Sequence, residues 1–355
     1  MEECSDNLIG RTLGGTYELL RELGRGGMGT VYVARHVRLE TSVAVKVLPS
    51  EQAGSDEAVL RFRREAMAAS SLGHPGIVRV MDLNADGGVV YMVMEYLQGE
   101  DLAAYLARCG ALPWGEAFDL FRRICDPIAA AHRAGYIHRD LKPGNIFLAR
   151  VEGCADQVKI LDFGLAKALY RADTAKLTRP GTAMGTPAYM PPEQIEGRDP
   201  DIRVDVYALG AILFQMLAGR LPFDAPTLTA LFAKVLTEPP PSLAAEVGAG
   251  DLPAPVDEAI RRALAKRPED RFPDVPSLVS AVTLAGAPLA VAGMPPVVAA
   301  RSVAAPLAPT MTAPGLAETD PRVAPAAEPP SLEAASMVGP RPALRRRVGW
   351  WIAAA

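Results

Sequence analysis

One ten-residue stretch, Tyr136-Ile137-His138-Arg139-Asp140-Leu141-Lys142-Pro143-Gly144-Asn145, holds the chain's densest chemistry. Asp140 can take a proton from a hydroxyl nucleophile. Lys142 can neutralise phosphate charge beside it. Asn145 offers an amide oxygen to a hard metal ion. A further carboxylate follows in Lys159-Ile160-Leu161-Asp162-Phe163-Gly164. A carboxylate base, a cation and two hard oxygen donors suit a site that holds Mg-nucleotide and moves its terminal phosphoryl group.

Such groups need rigid neighbours. Between 114 and 135, Phe121, Ile124, Ile128 and Ala131 recur at helical spacing, and Gly135 is placed to end that helix before the loop. Asp119, Arg122 and Arg123 read as its solvated face. Ile146-Phe147-Leu148 reads as a strand leaving the loop, and 151–157 as a small polar surface turn. Residues 204–218 are apolar nearly all round, which marks a buried helix with Gly219 as its stop. Asp205 inside that helix is too costly to bury unpaired, so it is expected to accept hydrogen bonds from the backbone of the Asp140 loop.

The amino-terminal part reads as strands after a flexible lead-in over 1–16. Tyr17 to Leu23 and Thr30 to Arg35 flank Gly24-Arg25-Gly26-Gly27-Met28-Gly29. Glycines let a backbone approach phosphate oxygens. A dinucleotide-binding turn would want a helix directly after them, whereas Val- and Tyr-rich sequence follows, so a glycine-rich hairpin is expected. Lys46 interrupts the buried-strand run from Val43 to Leu48, and its charge requires a partner. Glu65 is one candidate, on a helix-prone segment from Glu57 to Met67 that offers Leu60, Met67 and Ala68 for packing, while Glu51, Asp56 and Glu57 lie nearer in sequence. His74-Pro75-Gly76 ends that region. Strands are expected over 77–83 and 89–95, with Asp86-Gly87-Gly88 as the turn between them.

With 355 residues and 49% hydrophobic content the chain can build one large domain or two ordinary ones. A net charge of −4 gives no global basic field for nucleic acid. Cys4, Cys109, Cys125 and Cys154 form no CxxC pair, which fits reduced structural thiols of a cytosolic domain. Residues 165–190 are long and irregular, a pattern usually tied to function. Val275 to Ala300 carry no charge, but prolines interrupt them, so 276–284 reads as a last helix rather than a span. Ala and Pro dominate 286–340, an expected flexible linker. Arg345-Arg346-Arg347 then precede Trp350-Trp351 in a tail over 341–355. That tail is read as the start of a membrane span near residue 348, with a weak interfacial anchor as the alternative.

The glycine-rich hairpin, Lys46, His138-Arg139-Asp140 with Asn145, Asp162-Phe163-Gly164 and Pro191-Pro192-Glu193 occur in one order. Together they resemble the protein-kinase family over about 17–285, with a bacterial serine/threonine style. The resemblance implies an α+β, two-lobed fold: a small β-rich lobe over 17–95 and a larger helical lobe over 96–285. It implies ATP and Mg2+, with Mn2+ as a substitute ion, and protein Ser/Thr hydroxyls as acceptors. It also implies roles. Asp140, Lys142, Lys46 and Glu65 are the catalytic set, and Asn145 and Asp162 the metal ligands. Leu23, Gly24, Gly26, Gly29, Val31, Ala44, Met94, Glu95, Leu97 and Asp101 join Lys46 around ATP. Asp101 also suits a helix cap. Thr186 would position the substrate, and Thr182 or Thr178 would carry a regulatory phosphate that pairs Arg139. Glu193 would pair Arg271 structurally; Pro191 replaces the family's usual alanine. A catalytically dead scaffold would lack one of Lys46, Asp140, Asn145 or Asp162, and a small-molecule phosphotransferase would not need the stretch from Thr186 to Glu193.

Overall fold

The computed structural model describes residues 8–26, 29–151, 156–162, 187–243 and 253–286. The chain divides into units 1–293 and 294–355, and every described residue lies in the first. The 286–340 linker and the 341–355 tail therefore fall outside the description, save Gly286.

The first lobe is a six-stranded antiparallel sheet. Its strands are β1 (Thr12–Leu13), β2 (Tyr17–Gly26), β3 (Gly29–His36), β4 (Ser42–Val47), β5 (Val80–Asp86) and β6 (Val89–Glu95), in the order β1-β2-β3-β4-β6-β5; β1 corrects the expected flexible lead-in over 1–16, because Leu13 is buried in the sheet's core. The strands on either side of the glycine-rich stretch pair antiparallel, as expected. Gly24 pairs with Val31, and Gly26 with Gly29. Gly29 holds φ +133°, and a Cβ there would lie 2.2 Å from the Val47 carbonyl oxygen. Only glycine lets β3 start this close to β4.

Helix α1 (Ser50–Ala53) is short, and α2 (Asp56–Leu72) is the lobe's main helix. The Ser55 side chain accepts from the Ala58 N–H, and Gly73 closes α2 at φ 53°. Its buried face is Phe62, Glu65, Ala66, Ala68 and Ala69. Two packing expectations fail, because Leu60 is 48% and Met67 67% exposed. Residues 62, 66 and 69 form the inward i, i+4, i+7 stripe, which leaves 60 and 67 on the outer face. The expected strand over 77–83 is also corrected. β5 begins at Val80, while Ile77 bridges Ile160 and Val78 donates its N–H to the Ile160 carbonyl.

The second lobe starts with β7 (Gly99–Asp101), α3 (Leu102–Cys109) and α4 (Trp114–Arg133). Gly135, at φ 81°, bonds back to His132 and releases the chain into the loop around Asp140. Strands β8 (Ile146–Ala149) and β9 (Gln157–Ile160) complete a small sheet in the order β7-β8-β9. Then follow α5 (Pro192–Ile195), α6 (Arg203–Ala218), α7 (Leu228–Thr237), α8 (Ala254–Ala263) and α9 (Val275–Gly286).

Helix α6 is buried from Val204 to Phe214 without a break and again at Met216 and Leu217, as its sequence requires. It lies at the centre of the lobe's single core with Phe121, Ile124 and Ile128 of α4 and Ile260 of α8. The last helix spans the expected 276–284 with a residue or two more at each end.

Candidate active site

Strand β4 and helix α2 bring the first pair together. Lys46 Nζ lies 2.7 Å from Glu65 Oε1 and 2.9 Å from Asp162 Oδ1, with Lys46 3% and Glu65 5% exposed. One cation thus serves two carboxylates. Burial lowers the Lys46 pKa, but Asp162 and Glu65 outweigh it and hold the ammonium above its usual range. Burial likewise works against the Asp162 charge, and Lys46 more than offsets it, so that carboxylate stays ionised. Glu65 is the deeper carboxylate. Burial raises its pKa and Lys46 offsets only part of the rise.

The loop after α4 holds the second group. Lys142 Nζ donates to Asp140 Oδ2 at 2.9 Å. Asn145 donates its amide to the Asp140 carbonyl at 2.8 Å and reaches Asp140 Oδ2 at 3.4 Å. The amide N–H groups of Asn145 are therefore directed at Asp140, which leaves its side-chain oxygen as the acceptor. Leu161 donates its N–H to the Asn145 carbonyl at 2.9 Å, so Asn145 and the Asp162 segment are neighbours. An amide oxygen and a carboxylate fit a hard divalent cation that takes its other oxygens from phosphates and water. Among the described residues no group of three His, Cys, Asp or Glu forms a self-sufficient metal cage.

Asp205 supports this loop from α6, as its burial predicted. It accepts the N–H of His138 at 2.8 Å and of Arg139 at 2.9 Å. Arg139 holds φ 65°, an uncommon conformation for a side-chain-bearing residue. His132, which the sequence reading passed over, brings Nε2 within 2.7 Å of Asp205 Oδ2. Gln194 was also missed; it donates to the Arg139 carbonyl at 3.0 Å. Neither residue interrupts an apolar run, so composition carried no signal for them.

The apolar residues expected around the nucleotide base converge. Val31, Ala44, Met94 and Leu97 belong to one cluster with Leu161. Leu23 is 44% exposed and stands outside it. Asp101 caps α3, its carboxylate accepting the Ala104 N–H at 2.8 Å. Glu95 donates its backbone N–H to Arg79, so a ligand at this residue is left the carbonyl side. The Glu95 carboxylate has a use that the sequence did not announce: Lys159 Nζ lies 2.6 Å from it. The signal was present, since Lys159 interrupts an apolar strand just as Lys46 does.

Glu193 and Arg271 form the expected pair, two parallel bonds of 2.7 Å each. Thr178, Thr182 and Thr186 lie outside the described residues.

The family described as the protein kinase domain matches residues 17–273. The chain belongs to the protein kinase family. Serine/threonine-protein kinase Pkn1 of Myxococcus xanthus is 43% identical over 284 residues, covering 80% of this chain and 40% of that protein. PrkC of Bacillus subtilis is 38% identical over 265 residues, covering 75% and 40%. PknA of Mycobacterium tuberculosis is 41% identical over 269 residues, covering 74% and 60%. The chain thus spans between 40% and 60% of these relatives. The PknI kinase domain of M. tuberculosis superposes with a TM-score of 0.59 at 30% identity, covering 78% of this chain and 98% of that one. The kinase is of the bacterial serine/threonine type, and its fold is the two-lobed α+β one.

Proposed function

We propose that this kinase domain transfers the γ-phosphoryl group of ATP to serine and threonine hydroxyls of proteins. The observation that carries the reading is Lys46 Nζ within 3 Å of both Glu65 and Asp162, beside the bonded Asp140–Lys142–Asn145 loop. Asp140 orients the acceptor hydroxyl and takes its proton as the oxygen–phosphorus bond forms and the bond to ADP breaks. Lys142, bonded to Asp140, offsets charge on the phosphoryl oxygens. Lys46, fixed by Glu65, aligns the remaining phosphates. Asn145 and Asp162 would hold Mg2+, which neutralises charge between the phosphates when bound.

Val31, Ala44, Met94 and Leu97 enclose the base under Gly24, Gly26 and Gly29. The Glu95 and Leu97 backbone meets its edge, and Asp101 meets the ribose. The domain is read as 17–285. Thr186 positions the acceptor segment, and autophosphorylation at Thr182 or Thr178 supplies a phosphate for Arg139. Intact-mass and peptide mapping after ATP treatment tests that switch. The basic, Trp-bearing tail is read as a membrane contact, tested by vesicle sedimentation. Among the described residues no helix is long and apolar enough to cross a membrane.

The deciding experiment is incubation with labelled ATP, Mg2+ and a generic protein substrate. Label should reach Ser and Thr in the wild type. Asp140→Asn should bind ATP nearly normally while transfer collapses. Near-normal turnover in that variant removes Asp140 from the role.

A further inference from the structure

Lys159 lies on β9, three residues before Asp162, and is 8% exposed. A cation buried this far needs a counter-charge. Its partner is Glu95 Oε1 at 2.6 Å, at the far end of β6. The same oxygen accepts the Arg79 N–H at 2.8 Å, and the Glu95 N–H donates to the Arg79 carbonyl at 3.0 Å. Glu95 is therefore fixed to its own lobe and, through Lys159, to β9.

From Lys159 to Asp162 the chain has no slack. Ile160 donates to the Gly76 carbonyl at 2.8 Å and accepts from Val78 at 3.0 Å. Leu161 donates to Asn145 at 2.9 Å, and its carbonyl meets His138 Nε2 at 3.0 Å. Lys159, Ile160, Leu161 and Asp162 thus form one bonded run, held at one end by Glu95 and at the other by Lys46, which meets Asp162 Oδ1.

We infer that the Glu95–Lys159 pair sets the separation between the Glu95 backbone and Asp162, so both side chains are positioning residues for nucleotide binding. The inference rests on the proposed function, which puts the adenine edge at the Glu95 backbone and the phosphates at Lys46 and Asp162. ATP spans both ends of that module. Adenosine spans only the first. A pair that merely stabilised the fold would affect the two ligands alike.

The test is calorimetric titration of the full 355-residue chain with Mg-ATP and with adenosine. It compares wild type with Glu95→Gln, Lys159→Met, the double variant and Lys159→Arg. Each charge-removing single variant should weaken Mg-ATP roughly five- to tenfold and adenosine less than about twofold. The double variant should be no weaker than either single one. KM for ATP should rise, kcat should fall by no more than the affinity does, and Lys159→Arg should keep most of the affinity. Equal losses for both ligands, additive losses or unchanged Mg-ATP affinity overturn the inference and leave the proposed function standing. A wild type that binds neither ligand overturns both. Should Lys159→Met fail to fold, Glu95→Gln gives the same comparison, because its amide oxygen still accepts from Arg79.

Discussion

Asp205 Oδ1 accepts the backbone N–H of Arg139 at 2.9 Å, and Arg139 sits at φ 65°. A left-handed residue with a side chain costs of order 1–3 kcal/mol and persists only where its surroundings hold it. Asp205 supplies that hold with both oxygens, since Oδ2 takes the His138 N–H. Asp205→Ala should release the loop and misplace Asp140. We expect kcat to fall roughly a hundredfold, the cost of a misplacement near 1 Å, while ATP affinity changes only a few-fold. Steady-state kinetics beside a binding titration checks this; an unchanged kcat would show that the loop holds itself.

Arg271 is 2% exposed and bonds both oxygens of Glu193, along with the carbonyls of Ala265, Arg203 and Lys266. Removing one partner strands a buried charge. Arg271→Met should cost about 3–5 kcal/mol and lower Tm by roughly 10 °C for a domain of this size. Glu193→Gln should cost less, because its amide oxygen can still accept one bond. Differential scanning calorimetry separates the two, and equal small losses would mean that the pair is not the anchor its burial suggests.

Gly29→Ala should damage the hairpin over the proposed phosphate site. The new Cβ would meet the Val47 carbonyl oxygen at 2.2 Å in a conformation that side chains avoid. β3 must shift away from β4, the strand that carries Lys46. Affinity for ATP should drop about tenfold, whereas Gly115→Ala, on α4 with nothing within 4 Å of its Cβ, should bind ATP like wild type. Identical affinities for the two variants would refute the steric account.

Lys266 gives a pH signature. Its ammonium donates to the Val235 carbonyl at 2.6 Å and lies 4.0 Å from the Phe223 ring centroid. Burial lowers its pKa from 10.5 to about 8, with Glu238 offsetting part of that and Arg271 adding to it. The unfolded chain then holds this proton more tightly than the fold does. The sign follows: the lysine's contribution to stability rises as pH climbs from about 8 towards 10.5. Chemical denaturation of wild type and Lys266→Met at pH 8 and pH 10 measures it. The difference between the proteins should favour wild type more at the higher pH, and a constant difference would contradict the lowered pKa.

Residues that break a pattern were the legible ones. Lys46 in an apolar strand and Asp205 in an apolar helix each demanded a partner, and each has one. The buried face of α2 was not legible, because alanines outnumber larger residues there and Leu60 and Met67 compete as hydrophobes for a face they do not occupy. Which face wins depends on the depth at which Glu65 must meet Lys46, a tertiary distance. His132 and Gln194 were hidden for a similar reason: polar residues in polar surroundings acquire meaning only through what folds against them.

Helix α6 has almost no exposed side along most of its length. Amide hydrogens there can reach water only when the lobe opens as a whole. Because the N–H groups of His138 and Arg139 end on its Asp205, two amides of an irregular loop inherit the exchange lifetime of the deepest helix. We expect the His138 and Arg139 amides to exchange with this helix rather than with a surface loop, which a deuterium-exchange map measures.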